Sequence, residues 1–505
     1  MKNFNQLKIG AFLSYISLGI GNVVSILYTP IMLRLLGQSE YGLYSLSNSI
    51  IGYLGALDFG MGNAVVRYTA KYRALDDKEG EYNLYGMFII IYSILAIIVI
   101  LSGGILVNNI DIFFSATLNN KELNRIKIIV CVMIFNLAIS FPLGIFGSII
   151  HAYEHFIFPK LIEIIRAILN PFIMLPLLFM GYKSLGMTVA STCLNLICII
   201  VNIYYCIKFL KIKIKFNNMN FAVIKEILVY SFFIFVTIIA DKIYWSTDQL
   251  ILGSLLGSIS VAVFAIAATI NRYYMSFSTA ISSVFLPKVV KMISSETNED
   301  EISNLFIKTG RLQFLIIAFI FSGFCLVGKN FIEIWAGTNY IEAYFIAIII
   351  MLPFTIDLIQ NIGISIMQAK NKNKFRAILM FILAVINICF TIPLAKLYGG
   401  IGCAISTAVS LLIGNIILNI YYYQQLKINI FLFWKEILKL SLPIILCSTI
   451  CFILKLCFNL SGIIELLIIG TLFTILYCLM VWLFGMNESE KSLFLKPFLM
   501  LKNNQ

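Results

Sequence analysis

The segment IMLPLLFMGYKSLGMTVAST, residues Ile173–Thr192, recurs in altered form as FTIPLAKLYGGIGCAISTA, residues Phe390–Ala408. The matched pairs are Pro176 with Pro393, Tyr182 with Tyr398 and Gly186 with Gly402. Similarity at a nearly constant offset of 216 or 217 residues is typical of a duplicated structural unit. The segment therefore predicts that the chain is built from two copies of one unit.

The similarity extends in both directions from this segment. Downstream, NIYYCIKFLKIKI from Asn202 resembles NIYYYQQLKINI from Asn419. Near the start, RLLGQSEYGLYSLSNSI from Arg34 parallels SLLGSISVAVFAIAATI from Ser254. Chance similarity between apolar helices is the alternative. The shared Pro, Gly, Tyr and Asn residues at matched spacing favour a true repeat.

Composition places this repeat in a membrane. Of the 505 residues, 60% are hydrophobic and only 12% are charged, and apolar runs of bilayer-spanning length recur along the chain. We predict an all-α polytopic membrane protein with about fourteen transmembrane helices. The predicted spans are 10–36, 41–66, 84–107, 126–150, 157–180, 185–208, 226–256, 261–287, 309–328, 340–368, 375–395, 400–423, 437–457 and 462–485.

Loop charges indicate the orientation of these spans. With the N-terminus inside, the cytoplasmic segments contain 26 of the 37 Lys and Arg residues, and the opposite segments contain 8. Because positively charged loops are retained in the cytoplasm, this bias predicts that both termini are cytoplasmic and that the number of spans is even. The same bias accounts for the net charge of +13, so we expect no nucleic-acid partner.

The repeat also predicts the domain organisation. A unit of six helices returns the chain to its starting side, so two such units run parallel and are related by an axis along the membrane normal. We predict an N-lobe of helices 1–6 at residues 1–215 and a C-lobe of helices 7–12 at residues 216–430. Residues 431–505 would add two further helices and a cytoplasmic tail. Two such lobes suit transport by alternating access.

The stretch NRYYMSFS, Asn271–Ser278, places a permanent cation inside predicted helix 8. A charge at mid-membrane costs about 2.5–3.5 kcal/mol on insertion scales and usually faces a bundle interior or a wet cavity. We therefore predict that Arg272 lines a substrate cavity, with Tyr273 and Tyr274 as aromatic walls. The alternative is that Arg272 only pairs with a carboxylate of helix 7.

Predicted helix 7 has a polar face in the stretch IIADKIYWSTDQLILG from Ile238. Asp241, Trp245 and Asp248 follow one another at i, i+4 and i+7, and Lys242 adjoins them. The pattern indicates a cavity-lining surface, in which Lys242 and Trp245 are substrate-binding candidates. Asp241 and Asp248 are candidates for coupling an ion. An internal network of Asp and Lys side chains is the alternative.

Two further groups of polar residues lie inside predicted spans. Asp58 belongs to LDFGMG in helix 2, where Gly60 allows the helix to bend. Asp58 either carries a coupling proton or sodium ion or anchors the bend. On helix 5, Glu163 and Arg166 lie one turn apart and are expected to pair.

We find no sequence motif for a cofactor, a metal site or catalysis. The pattern H-x-x-E-H from His151 matches a metalloprotease spacing, but it lies in a short turn with no catalytic domain around it. A polar connecting loop is the preferred interpretation. We expect no cofactor and no catalytic residue, so transport would be driven by a proton or sodium gradient or by the membrane potential.

Several stretches carry a family resemblance. LRLLGQSEYGLY from Leu33, LDFGMG from Leu57, IWAGTNYIEAY from Ile334 and MQAKNKNKF from Met367 resemble polysaccharide flippases of the multidrug/oligosaccharidyl-lipid/polysaccharide exporter superfamily. NRYYMSFSTAISSVFLP from Asn271 resembles helix 8 of lipid II flippases, in which an arginine at the position of Arg272 faces a cationic cavity. Helix 1 departs from those flippases, because an apolar, glycine-bearing region stands where they carry an Arg-Asp pair.

The resemblance implies a function. It predicts a flippase for undecaprenyl-diphosphate-linked O-antigen, capsule or related repeat units in the bacterial cytoplasmic membrane. Its partners would be this lipid-linked glycan, the bilayer, and the glycan polymerase with its chain-length machinery. The alternatives are a drug or cation antiporter of the same superfamily, a lipid II-type flippase and an integral-membrane glycan polymerase.

Overall fold

The computed structural model describes residues 2–217, 221–294, 298–370, 372–458 and 462–492. Within these ranges nearly every residue is helical, and no strand occurs. The first eight α-helices are α1 Lys2–Leu36, α2 Gln38–Gly55, α3 Met61–Ala74, α4 Lys78–Asn108, α5 Ile110–Phe114, α6 Asn120–Ala152, α7 Ile157–Phe179 and α8 Lys183–Lys208. The others are α9 Phe221–Leu256, α10 Ser258–Ser294, α11 Glu299–Trp335, α12 Glu342–Ile359, α13 Ile362–Ala369, α14 Asn373–Gln425, α15 Ile430–Phe458 and α16 Gly462–Met480.

The predicted spans correspond to these helices. Among the described residues, 12 helical segments are long and apolar enough to cross a membrane, with α2 and α3 forming one segment and α14 counted once. α14 contains two predicted spans, since its backbone leaves the helical conformation at Gly399 (φ 60°, ψ −135°). α10 contains the predicted span at 261–287 but is not among these 12 segments. The prediction of an all-α polytopic membrane protein is confirmed.

The second span is broken where LDFGMG predicts a bend. α2 ends at Gly55, a short 3-10 turn covers Ala56–Asp58, and α3 begins at Met61. Between them Phe59 (φ 54°) and Gly60 (φ 64°) are both left-handed. Glycine adopts this conformation at no steric cost, which explains why the break occurs here.

The two halves of the repeat also share their turns. Gly37 (φ 79°) and Gly257 (φ 86°) both lie in the left-handed region directly before a helix. The matched positions Lys183 and Gly399 have φ values of 51° and 60°. Lys211 and Lys427, which also match, have φ values of 51° and 54°. Agreement at unusual backbone conformations supports the repeat independently of the apolar composition, because chance similarity between helices would not reproduce it.

Packing divides the chain into two compact units. Unit 1 comprises the residues up to Ala265 together with Thr391–Gly400, and unit 2 comprises Ile266–Phe390 and the residues from Ile401 onward. The predicted lobes at 1–215 and 216–430 were defined by the sequence repeat, whereas the two units are defined by packing. α9 therefore falls in the predicted C-lobe but packs in unit 1. The lobe boundaries stay a prediction.

Unit 1 is organised around α6, which packs against α2, α3, α4 and α8. Its buried residues include Ile126, Ile129, Met133 and Ile145, whose apolar side chains meet these neighbouring helices. α1 packs against α7, and α2 packs against α9. These two pairs carry most of the candidate polar residues of unit 1.

Unit 2 is organised around α11, which packs against α12, α15 and α16. One apolar cluster is centred on the ring contacts of Phe306 with Tyr422 and Phe433. A second cluster joins Leu440 of α15 to Phe473 of α16. α15 and α16 therefore share the core of unit 2.

Candidate functional site

The polar face of α9 is continuous but unevenly exposed. Asp248 is only 3% exposed and accepts a hydrogen bond of 3.4 Å from the Thr391 hydroxyl. Lys242 and Trp245 are half-buried, and Asp241 is exposed. The predicted spacing at i, i+4 and i+7 is thus realised on one helix, and burial increases along it from Asp241 to Asp248. The substrate and ion roles of these residues stay predictions.

The α9 polar face packs against a polar stripe of α2 within unit 1. The Ser49 hydroxyl donates to Gln249 Oε1 at 2.8 Å, and the Tyr53 hydroxyl lies 3.3 Å from the Lys242 carbonyl and also contacts the Thr247 hydroxyl. The sequence analysis missed Ser49 and Tyr53. Their spacing of four residues in an otherwise apolar run was the available signal.

Asp58 lies at the break between α2 and α3. The Tyr92 hydroxyl and the Gly60 backbone N–H lie near its carboxylate. Both predicted roles of Asp58, in anchoring the bend and in coupling an ion, stay predictions.

In unit 2, Arg272 is exposed on α10. Its Nη2 donates to the Thr269 hydroxyl at 3.0 Å, and among the described residues of unit 2 no carboxylate lies within ion-pairing distance. A guanidinium presents five N–H donors, so most of its hydrogen-bonding capacity is unused within this unit.

The two tyrosines after Arg272 differ from each other. Tyr273 is half-buried, whereas Tyr274 is 1% exposed and its hydroxyl lies 2.7 Å from the Thr355 hydroxyl. Tyr274, Ser278 and Ser282 follow one another at helical spacing, and all are buried. Tyr274 therefore belongs to the packing face of α10 in this conformation, and only Tyr273 shares the accessible side of the helix with Arg272.

The predicted pair of Glu163 with Arg166 is wrong. Glu163 Oε2 instead lies 2.8 Å from Lys160 Nζ and accepts a longer bond of 3.4 Å from the Ser17 hydroxyl. Helical side chains lean toward the N-terminus of their helix, and Glu163 therefore reaches the residue one turn before it.

A polar cluster that the sequence analysis missed surrounds Glu81 near the start of α4. Glu81 is fully buried and accepts hydrogen bonds from the hydroxyls of Tyr85 (2.6 Å) and Tyr153 (2.5 Å). The Arg73 guanidinium lies 4.1 Å from the centre of the Tyr153 ring and donates to the Ala152 carbonyl at 2.7 Å. Burial, followed by the bond to Glu81, raises the pKa of Tyr153.

The H-x-x-E-H motif lies at the end of α6 and in the turn that follows it. His155 Nδ1 forms a hydrogen bond of 2.7 Å with the Tyr205 hydroxyl. Burial, and secondarily the charge of Arg73, lowers the pKa of His155 below its ordinary value. The geometry of His155 thus fits a structural role in the connection between α6 and α7.

Comparisons with known proteins agree with this architecture. The profile of the family described as polysaccharide biosynthesis protein matches residues 7–293. A putative O-antigen transporter of Shigella flexneri is 22% identical over 81% of this chain and 96% of its own length. The capsular polysaccharide biosynthesis protein CapF of Staphylococcus aureus is 26% identical over 62% of this chain and 77% of its own length.

A solved structure shares the fold. A lipid II flippase, MurJ, in an inward closed conformation superimposes with a TM-score of 0.72 at 16% identity, covering 97% of this chain and 99% of that one. The family profile covers more than half of the chain, and the resemblance inferred from the sequence is confirmed. The chain is therefore a multi-pass membrane protein that belongs to the polysaccharide biosynthesis protein family.

Proposed function

We propose that this protein is a flippase that moves undecaprenyl-diphosphate-linked oligosaccharide repeat units from the inner to the outer leaflet of the bacterial cytoplasmic membrane. The glycan would be an O-antigen, capsule or related repeat unit. The headgroup crosses by alternating access while the polyprenyl tail stays in lipid. The names of the relatives from Shigella flexneri and Staphylococcus aureus support this substrate class.

The observation that carries the proposal is that Arg272 is exposed and has no charged partner among the described residues of unit 2. This permanent cation lies inside the predicted span at 261–287, is exposed, and among the described residues of unit 2 has only a neutral hydroxyl as its hydrogen-bond partner. The planar fork of a guanidinium matches the oxygens of a phosphate group, so a diphosphate is a ligand that would use its free donors. The half-buried rings of Tyr273 and Trp245 are the aromatic candidates for contact with sugar faces.

Energy coupling and assembly form part of the same proposal. Asp58, Asp241 and Asp248 are the candidates for sensing a proton or sodium gradient or the membrane potential. Both termini would be cytoplasmic, and a glycan polymerase with its chain-length machinery would act on the product. The charge bias of the loops supports the orientation.

The test is to delete the gene and measure, with a membrane-impermeant probe, how much lipid-linked oligosaccharide faces each side of the membrane. Wild type, Arg272→Ala and Lys308→Ala would be returned at matched expression. Lys308 is the control because it is an exposed cation in the same unit. We expect wild type and Lys308→Ala to clear the cytoplasmic-facing intermediate and Arg272→Ala to leave it there.

An unchanged leaflet distribution after deletion, in a strain without a second flippase, would refute the proposal. A drug or cation antiporter would then become the leading candidate. An antiporter for cations requires an anionic cavity, which the free Arg272 disfavours.

A further inference from the structure

Arg166 of unit 1, which has no partner among the described residues, lies at a small polar pocket between α7 and α8. The pocket has a volume of about 280 Å³. Its lining residues are Glu163, Arg166, Ala167, Asn170, Ser191 and Leu194. Ligand pockets for whole small molecules usually measure about 300–1,000 Å³, so this one suits a single compact group.

Arg166 is the only guanidinium among the described residues that line this pocket, and its neighbours leave it without a partner. Glu163, its neighbour one turn earlier, is occupied by Lys160 at 2.8 Å. Among the residues that the structure describes, Arg166 forms no ion pair and no hydrogen bond, and its side chain is exposed. With Lys160 and Glu163 neutralising each other, the pocket retains the full positive charge of Arg166.

The position of the Arg166 charge makes it energetically costly to leave the guanidinium without a ligand. Arg166 lies near the middle of α7, which is 23 residues long and contains the span Ile157–Phe179. A cation at such a depth costs about 2.5–3.5 kcal/mol on insertion scales and is found mainly where it faces a wet or ligand-binding surface. A ligand that pairs with the guanidinium would offset part of that cost.

Neutral hydrogen-bonding groups complete the pocket. Asn170 follows Arg166 by one turn on the same face of α7, and the described residues offer its amide no hydrogen-bond partner. Ser191 contributes a hydroxyl from α8, although that hydroxyl already donates to the Met187 carbonyl at 2.8 Å and is left as an acceptor. The usable donors are therefore the guanidinium and the Asn170 amide.

The polar surface continues beyond the pocket. One turn after Ser191 on α8, the Asn195 amide donates to Asn136 Oδ1 at 2.9 Å and lies 2.8 Å from the Ser140 hydroxyl on α6. This network joins α6 to α8 next to the pocket, where an apolar contact would be expected of lipid-facing helices. The neighbourhood of Arg166 is thus built from polar groups on α6, α7 and α8.

We infer that this pocket is an oxyanion site, in which Arg166 and Asn170 bind a phosphate group. The inference rests on the proposed function for its preferred source, the diphosphate of the lipid-linked glycan. An anionic phospholipid headgroup presents the same chemistry. A guanidinium binds a phosphate through two parallel N–H···O bonds, and the Asn170 amide adds a third donor.

Binding of undecaprenyl diphosphate to the full-length protein in phosphatidylcholine nanodiscs tests the site. The variants are Arg166→Gln, Arg166→Lys and Asn170→Ala, with Lys121→Gln as a control that removes an exposed cation from the same unit. We expect Arg166→Gln to weaken binding at least ~10-fold, consistent with the loss of a charge-assisted bidentate contact, and Arg166→Lys to restore it in part. Thermal unfolding of each variant checks that the fold is retained.

A second arm distinguishes the two sources of phosphate. Part of the phosphatidylcholine is replaced by phosphatidylglycerol, and binding of that lipid is compared between wild type and Arg166→Gln. In one outcome, phosphatidylglycerol binds in an Arg166-dependent way and wild type does not bind undecaprenyl diphosphate. This result would assign the site to a bilayer lipid and contradict the proposed function. In another outcome, wild type and Arg166→Gln bind undecaprenyl diphosphate equally, and neither lipid binds in an Arg166-dependent way. This result would overturn the oxyanion site and leave the proposed function standing.

Discussion

Arg311 and Glu490 form a buried bidentate ion pair. Nε of Arg311 lies 2.7 Å from Oε1 of Glu490, and Nη2 lies 2.9 Å from Oε2. The two residues are 4% and 1% exposed. Nη1 of the same guanidinium donates to Glu436 Oε2 at 2.8 Å, and Nη2 also donates to the Gly485 carbonyl at 3.1 Å. One arginine of α11 therefore holds α15 and the segment after α16.

Loss of one partner of this pair should destabilise unit 2 strongly. Arg311→Ala leaves the Glu490 carboxylate buried without its cation, and removal of one partner of a buried pair typically costs about 3–5 kcal/mol. The measurement is thermal unfolding of purified protein in detergent. Glu488→Gln is the matched control, because the Glu488 side chain is 96% exposed and its contact with Lys491 is long at 3.7 Å. Equal melting temperatures for Arg311→Ala and Glu488→Gln would contradict the prediction.

Gly42 is required where α2 meets the start of α10. A Cβ built at this position would lie 1.8 Å from the Ser258 carbonyl oxygen, a backbone atom that cannot rotate away. Gly42→Ala should therefore separate the two helices and cost about 1–3 kcal/mol or more, as overpacked cores do. The readout is the unfolding temperature together with the yield of folded protein. Gly21→Ala serves as the control, since nothing lies within 4 Å of its added Cβ, and a comparable loss there would refute the argument from packing.

His155 should make stability fall at acidic pH. Burial, and then Arg73, lowers the pKa of His155 in the folded protein below the ordinary value of 6.5, so the unfolded chain takes up this proton at a higher pH than the folded chain. The contribution is therefore fully present above about pH 6.5 and is lost as the pH falls below it. Unfolding temperatures measured across this range should decline less steeply for His155→Gln than for wild type. Parallel profiles would show that the histidine does not titrate as described.

The planar shape of the Arg272 side chain should matter beyond its charge. Arg272→Lys retains a cation but loses the fork that binds two phosphate oxygens at once, so we expect transport to fall roughly 10-fold rather than vanish. Thr269→Ala removes the hydrogen bond of 3.0 Å that orients the guanidinium but leaves the cation in place, and a smaller loss is expected. The assay is the rate at which cytoplasmic-facing lipid-linked oligosaccharide disappears. Full activity of Arg272→Lys would indicate that charge alone is sufficient.

Local patterns predicted the helices and their turns well. Each apolar run is a helix because, in a bilayer, the backbone can satisfy its hydrogen bonds only within the helix itself. The break at Gly60 was likewise visible, since glycine is the residue that adopts left-handed backbone without strain. The shared face of Asp241, Trp245 and Asp248 followed from helical periodicity alone.

Partner choice was not predictable in this way. Sequence spacing allowed Glu163 to pair with either Lys160 or Arg166, and the structure pairs it with Lys160. Tyr273 and Tyr274 are equivalent by composition, yet only Tyr274 is buried, because the α10 packing face passes through it. Such outcomes depend on which side of a helix its neighbours cover.

The sequence by itself determined the membrane setting, the positions of the spans, the internal repeat and the family, because each depends on local composition or on similarity between segments. Only the tertiary structure decided which polar side chains are neutralised and which stay free. Arg311 meets Glu490 across 179 residues of chain, while Arg166 meets no partner among the described residues. Both are arginines within apolar helices, and packing of distant helices, which no local pattern encodes, makes one a structural anchor and leaves the other available to a ligand.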